Sequence, residues 1–145
     1  MAITSDKTAL KAGQTANITF TFSETPTGFD ATDIVVTGGT LSGLTSSGLT
    51  RTATFTPTDD IEGTSASITI ASGSYTDAAG NNGGAGSTPS ITIDTKAPTV
   101  SSVALSATGG QNNLLNAGDV VTATVVFSES VSVVGNPTIG LTIGT

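Results

Sequence analysis

Cysteine and histidine are absent from this chain of 145 residues. Their absence excludes disulfides, thiolate and imidazole metal sites, Ser-His-Asp and Cys-His catalysis, and histidine general-base chemistry. Tryptophan is also missing, tyrosine occurs once, and aromatic residues amount to 4%. Stacking platforms for sugars are therefore scarce. Positive charge is scarce too: four Lys and Arg face eleven Asp and Glu, for a net charge of −7. A nucleic-acid binder needs the opposite sign to release counterions from phosphates, so no nucleic-acid partner is expected. No apolar run approaches the roughly 20 residues of a membrane-spanning helix, so no membrane insertion is expected. A signal peptide is not visible, which by itself says nothing about location.

What is present is alternation. Mean hydropathy is +0.20 although charged residues make up only 10%, so low charge here does not signal disorder. Ile18, Phe20 and Phe22 alternate with Thr19 and Thr21; Ala53 and Phe55 alternate with Thr52, Thr54 and Thr56. Ile68 and Ile70 flank Thr69, and Ile91 and Ile93 flank Thr92. This period of two marks half-buried strands, with β-branched Thr on the outer face. No segment keeps a helical period for three turns, and Gly, Pro and Ser-Gly pairs recur between the runs. The pattern predicts an all-β, antiparallel β-sandwich of about seven strands. The expected strands are A over 2–10, B over 14–22, C over 33–37, D over 40–44, E over 49–56, F over 65–71 and G over 88–94.

An internal repeat sets the expected domain count. Leu10-Lys-Ala-Gly-Gln-Thr-Ala-Asn-Ile-Thr-Phe-Thr-Phe-Ser-Glu24 aligns with Leu115-Asn-Ala-Gly-Asp-Val-Val-Thr-Ala-Thr-Val-Val-Phe-Ser-Glu129 at an offset of 105, with seven of 15 positions identical. The same offset, without a gap, places Ile34, Val36, Thr37 and Gly39 on Ile139, Leu141, Thr142 and Gly144. Residues 1–97 are thus expected to form one complete module, and 98–145 the N-terminal part of a second, truncated one. The missing strands of the second would come from further chain in a tandem array or from another chain.

Several of these segments taken together resemble a known family. Ala12-Gly13 followed by Phe22-Ser23-Glu24, then Phe55-Thr-Pro-Thr-Asp-Asp60, Tyr75-Thr-Asp-Ala-Ala-Gly-Asn81 and Ile93-Asp-Thr-Lys-Ala-Pro-Thr99 are similar to bacterial Ig-like repeats of giant surface adhesins, including RTX-type and biofilm-associated proteins. The resemblance covers nearly the whole chain. It implies an Ig-like sandwich in an extracellular stalk on the bacterial cell surface. Its partners would be neighbouring Ig-like modules of the same chain, and calcium commonly stiffens such arrays.

Calcium can also be argued from ligand chemistry. Ca²⁺ takes six to eight oxygen ligands, and this chain offers oxygen donors without imidazole or thiolate. In an alternating sandwich the E–F loop and the end of strand G share one pole, which carries Asp59, Asp60, Glu62 and Asp94 beside the Thr95-Lys-Ala-Pro98 linker. Glu129 ends strand B of the second module and would face the same linker, with Asn136 able to add an amide oxygen. Glu24, Asp30 and Asp33 from the B–C loop and Asp77 from the F–G loop would share the opposite pole. In the second module Gly135 and Thr138 replace Asp30 and Asp33, which thins the ligand set. The plainer reading of each acid is a turn former that hydrogen-bonds nearby amides. Asp77-Ala-Ala-Gly-Asn-Asn lacks the spacing of an EF-hand loop.

Other constellations weigh less. Asp59/Asp60 and Asp30/Asp33 are too close in sequence to flank a substrate as a glycosidase pair, and no enzyme activity is expected. An intramolecular Lys–Asn isopeptide needs a buried Lys, whereas Lys7, Lys11 and Lys96 sit at strand ends or turns. Arg51 falls in phase with Leu49 and Ala53 and is expected to reach solvent or a carboxylate at the strand end. Thr50, Thr52, Thr54 and Thr56 form an outward row that suits a solvated strand and could also order water or ice. The function expected is a structural extender of an adhesin; the alternative is a carbohydrate- or protein-binding module acting through the F–G loop at 74–88.

Overall fold

The computed structural model describes residues 1–110 and 114–140. The chain divides into two compact units, Met1–Lys96 and Ala97–Thr145. The first is an Ig-like β-sandwich. One sheet has the order β1 (Ala2–Ser5), β3 (Ala16–Thr21), β6 (Thr50–Pro57), β5 (Gly39–Ser47), with every pairing antiparallel. The other has the order β2 (Ala9–Lys11), β9 (Ile91–Asp94), β7 (Thr64–Ile70), β4 (Ile34–Thr37), and β8 (Gly86–Ser87) also pairs with β7. In strand letters these sheets are A-B-E-D and A′-G-F-C, the arrangement of an Ig constant-type domain with a split first strand.

The inward residues of both sheets form one core. Ile18, Phe20, Phe55, Ile68, Ile91 and Ile93 are fully shielded from solvent. The predicted alternation holds strand by strand, since these residues are spaced by two while their Thr neighbours face out.

The expected single strand over 2–10 is two strands in different sheets. Ser5 and Lys7 close a tight turn, with Ser5 Oγ donating to the Lys7 carbonyl at 2.7 Å. Asp6 accepts the Asn17 amide at 2.7 Å and holds the crossover against β3. The switch satisfies a parity constraint. Ile3 and Leu10 are both buried yet lie an odd number of residues apart, so one straight strand points them to opposite sides. Crossing to the facing sheet makes both sides inward.

The last strand is also interrupted. Pro89 has no amide to donate, and around it Thr88 supplies the pairing instead. Its amide donates to the Ile68 carbonyl at 2.9 Å and its hydroxyl accepts the Ile68 amide at 3.1 Å. Strand D is longer than expected and bulges between Ser42 and Thr45. The chain passes from β4 to β5, and so between sheets, at Gly38-Gly39. Gly38 has φ +77°, and a Cβ on Gly39 would lie 2.6 Å from the Phe55 ring.

Among the described residues the second unit contains an antiparallel pair of strands, β10 (Val100–Thr108) and β11 (Val120–Phe127). β11 covers the residues that the repeat aligns with β3. Residues 128–140 carry no strand, and the strand expected at 139–144 lies mostly outside the described residues.

Candidate functional site

The sequence places its candidate ligands at the two ends of the first sandwich, and the structure builds those ends differently. At one end the β6–β7 loop, which carries Asp59, Asp60 and Glu62, is bound to the chain leaving β9. Thr95 is the centre of this lock. Its hydroxyl donates to the Thr58 carbonyl at 2.8 Å and accepts the Ile61 amide at 3.0 Å. Its own amide, at 2.7 Å, and that of Lys96, at 3.2 Å, both donate to the Ile61 carbonyl. The loop turns through Asp60, which has φ +58° and is the only non-glycine with positive φ among the described residues. Asp94 closes β9 one residue before the lock.

The carboxylates at this end have unequal freedom. Glu62 pairs with Lys96 at 3.4 Å, both side chains being 43% exposed; screening at such exposure leaves the pair worth little. Asp59, Asp60 and Asp94 make no side-chain hydrogen bond or ion pair among the described residues. Glu129 belongs to the second unit. It is partly buried, and its Oε1 is shielded from solvent with no hydrogen-bond partner among the described residues.

At the opposite end the carboxylates are used by their own loops. Asp30 and Asp33 form a capping box around a short 3-10 turn, Ala31–Asp33. Asp30 Oδ1 accepts both the hydroxyl, at 2.6 Å, and the amide, at 2.7 Å, of Thr32, while Asp33 Oδ2 accepts the Asp30 amide at 2.9 Å. The bonds from Thr32, hydroxyl first, hold the Asp30 carboxyl below its ordinary pKa. Asp77 closes the turn to Asn81 by accepting the amides of Ala79 and Asn81 and the Asn81 side-chain amide, each at 2.8 Å. Those contacts, led by the Asn81 side chain, lower its pKa as well.

Of the four acids expected at this end, Glu24 and Asp77 share a small cleft of about 120 Å³, together with Asn81 and Asn82. Asp30 and Asp33 do not line it. Among the described residues no three carboxylates come together in a group that could hold a metal ion.

Beneath the cleft lies a feature that composition concealed. Four of the six aromatic residues cluster here. Phe22 meets Phe29 at 5.0 Å and Tyr75 at 5.1 Å between ring centroids, both edge-on, and Phe29 meets Phe20 at 5.9 Å. Arg51 caps the cluster, with its guanidinium 5.8 Å from the Phe22 ring centre. Its Nη1 donates to the carbonyls of Gly48, at 3.0 Å, and Thr50, at 2.9 Å. It thus reaches backbone and an aromatic face rather than a carboxylate. Leu49 sits in the β5–β6 turn and is 44% exposed. The Tyr75 hydroxyl donates to the Gly84 carbonyl at 3.1 Å, and burial raises its pKa. The loops are tied above it by bridges of Thr27 to Thr76 and Thr76 to Asn82. The available signal was the pair Gly83-Gly84 following the Asp77 turn.

No helix of the described residues is long and apolar enough to cross a membrane. No curated protein and no solved structure matches the chain significantly. The bacterial Ig-like domain family matches residues 1–93, the span that folds into the sandwich. Members of that family are in general structural modules rather than enzymes. With the split first strand, the two facing sheets and this match in agreement, the chain belongs to the bacterial Ig-like domain family.

Proposed function

We propose that the chain is a stalk segment of a repetitive bacterial surface adhesin, one that extends a binding domain away from the cell. The observation that carries this reading is the ungapped repeat at offset 105, whose second copy of the β3 sequence again forms a strand, β11. A second module begun directly after the first is what a tandem array contains. The Thr95 lock supports the reading, because it ties the departing chain to the preceding loop. Pro98 limits backbone freedom a few residues later. An extracellular location on the bacterial surface belongs to the same proposal.

Calcium at the linker is the finer part of the proposal. The donor chemistry fits a hard cation: Asp59, Asp60 and Asp94 have uncommitted carboxylates, and Glu129 of the second unit is the further acid that the sequence offers. Glu62 could join them only by leaving Lys96. Glu24, Asp30, Asp33 and Asp77 fit less well. Three of them already accept bonds from their own loops, although charged carboxylates can bridge to a cation through remaining lone pairs. Bound calcium would offset repulsion among the acids and hold the linker in one geometry.

A calcium titration by calorimetry after chelator treatment, with melting followed in parallel, tests this part. Heat in the affinity range of extracellular modules, with a raised melting temperature lost in Asp94→Asn, is expected. Absence of heat and of a shift would leave the acids as turn formers and the array as a flexible spacer. The alternative role, ligand binding at the F–G loop, has less support. The cleft there holds about 120 Å³, below the roughly 300–1,000 Å³ of small-molecule sites.

A further inference from the structure

We propose that Asn82 is a self-modification site: its side-chain amide is lost to attack by the Gly83 main-chain nitrogen whenever the loop opens, and the closed fold holds that reaction off. Of the seven asparagines in the chain, Asn82 alone is followed by glycine. A side chain on the following residue shields its nitrogen from the asparagine Cγ. Glycine has none, so this is the pair that cyclises most readily. Position 83 has no room for another residue, because a Cβ there would fall 2.2 Å from the Tyr75 ring. The packing of Tyr75 thus requires the very neighbour that makes Asn82 labile.

The reaction needs water and nothing else. The Gly83 nitrogen bonds to the Asn82 Cγ, the Cγ–Nδ2 bond breaks, and Nδ2 leaves as ammonia with the proton that the Gly83 nitrogen gave up. The product is a five-membered cyclic imide, which water opens at either carbonyl. One opening gives aspartate. The other gives isoaspartate, in which the main chain runs through Cβ and Cγ and is one atom longer.

The closed loop opposes the first step. The Gly83 amide donates to the Tyr75 carbonyl at 2.8 Å, and the Asp77 amide donates to the Asn81 carbonyl at 3.0 Å. These bonds pin the peptides on both sides of Asn82, which bridges to Thr76 between them. The Gly83 carbonyl accepts the Gly73 amide at 2.9 Å and the Ser72 hydroxyl at 3.3 Å. To reach Cγ, the Gly83 nitrogen must release the Tyr75 carbonyl, lose its proton and turn out of the bridge, which is a local opening. The Asn82 side chain is held by less. It is exposed and makes no hydrogen bond among the described residues, whereas Asn81 Nδ2 donates to Asp77 Oδ2 at 2.8 Å. The gate therefore lies in the main chain. Once the imide has formed, the Gly83 nitrogen has no hydrogen for Tyr75, and the longer isoaspartate chain is out of register with Thr76. A transient opening becomes permanent, and a negative charge is added to the cleft that Asn82 shares with Glu24 and Asp77.

The test incubates the whole chain at mildly alkaline pH, folded and in guanidinium chloride, and follows conversion at Asn82 by peptide mass mapping with isoaspartate detection. Hydrogen exchange at the Gly83 amide is measured in parallel. In denaturant Asn82 should convert ahead of the other asparagines. In the folded chain its conversion should be at least about tenfold slower, because an opening must precede each attack. The slowing should match the protection of the Gly83 amide, since one opening frees the same nitrogen for both. Asp77→Ala, which unties the turn to Asn81, should speed conversion in the folded chain severalfold. If that variant unfolds, the folded and denatured unsubstituted chains still decide. Conversion as fast in the folded chain as in denaturant, or none at Asn82 in denaturant, would overturn the proposal.

Discussion

Gly83 lies flat against the ring of Tyr75: a Cβ at position 83 would fall 2.2 Å from both Cε2 and Cζ. The contact is held from both sides, because the Gly83 amide donates to the Tyr75 carbonyl at 2.8 Å and the Gly83 carbonyl accepts the Gly73 amide at 2.9 Å. Gly83→Ala must therefore push Tyr75 into Phe22 and Phe29 or open the loop. Overpacking of this kind costs about 1–3 kcal/mol. A melting temperature lower by roughly 4–8 °C per kcal/mol is expected for a unit of this size. Thermal melts of the two proteins check it, and an unchanged melt would mean the loop is free to yield.

Removing the Thr95 hydroxyl is the second test. Thr95→Val keeps the shape but deprives the Ile61 amide and the Thr58 carbonyl of their partner. Leaving such groups unsatisfied costs about 1–3 kcal/mol. The main-chain bonds to the Ile61 carbonyl remain, so the strands should stay intact while the loop loosens. Hydrogen exchange is expected to rise at Ile61 more than at Ile68 in the core.

Acid should weaken the loops before it weakens the sheets. The folded-state pKa values of Asp30 and Asp77 are lowered by the hydrogen bonds they accept. Their contribution is therefore complete above the ordinary carboxylate pKa and is lost as pH falls through the depressed folded values. Asp30 is exposed and Asp77 half-buried in a surface turn, so solvent screening keeps the effect small. Asp77→Asn should melt below the unsubstituted chain at neutral pH, and the gap should close in strong acid. Melts across a pH series measure it; a gap independent of pH would assign the loss to geometry rather than charge.

Stopping the chain at residue 97 is expected to leave the first unit folded. Its core residues all lie between Ile3 and Ile93. Denaturant unfolding of the shortened chain should remain a single cooperative transition with an unchanged midpoint. Broad or lost cooperativity would show that the second unit stabilises the first.

Much of the sandwich was legible because its core residues announce themselves by spacing. Ile18, Phe20 and Phe22 could only be one face of a strand, as could Ile91 and Ile93. The crossing between β1 and β2 was legible in principle, since Ile3 and Leu10 have opposite parity, but the Thr-rich stretch between them reads as continuous strand. Pro89 likewise warned of the break after β8. The candidate ligands were harder. Sequence places an acid in a loop, whereas the loop's own amides decide whether its oxygens remain available. Asp77 with Asn81, and Asp30 with Thr32, are bonds over two to four residues, and the turn-forming reading anticipates them. The locking of Ile61 by Thr95 joins residues 34 apart, and the gathering of Phe22, Phe29 and Tyr75 needs the β3–β4 and β7–β8 connections to meet. Neither leaves a local pattern.

The parallel pairing of β2 with β9, Ala9 to Thr92, Leu10 to Ile93 and Lys11 to Asp94, has a mechanical meaning. These strands run side by side in the same direction, one near the start of the sandwich and the other at its exit. Tension that pulls the entering and leaving chains apart slides one strand along the other. All the bonds between them are then strained at once, instead of opening in turn like a zip. A pull on the entering chain meets β1 and its pairing with β3 first, and once β1 has let go the load falls on a pair whose bonds must fail together.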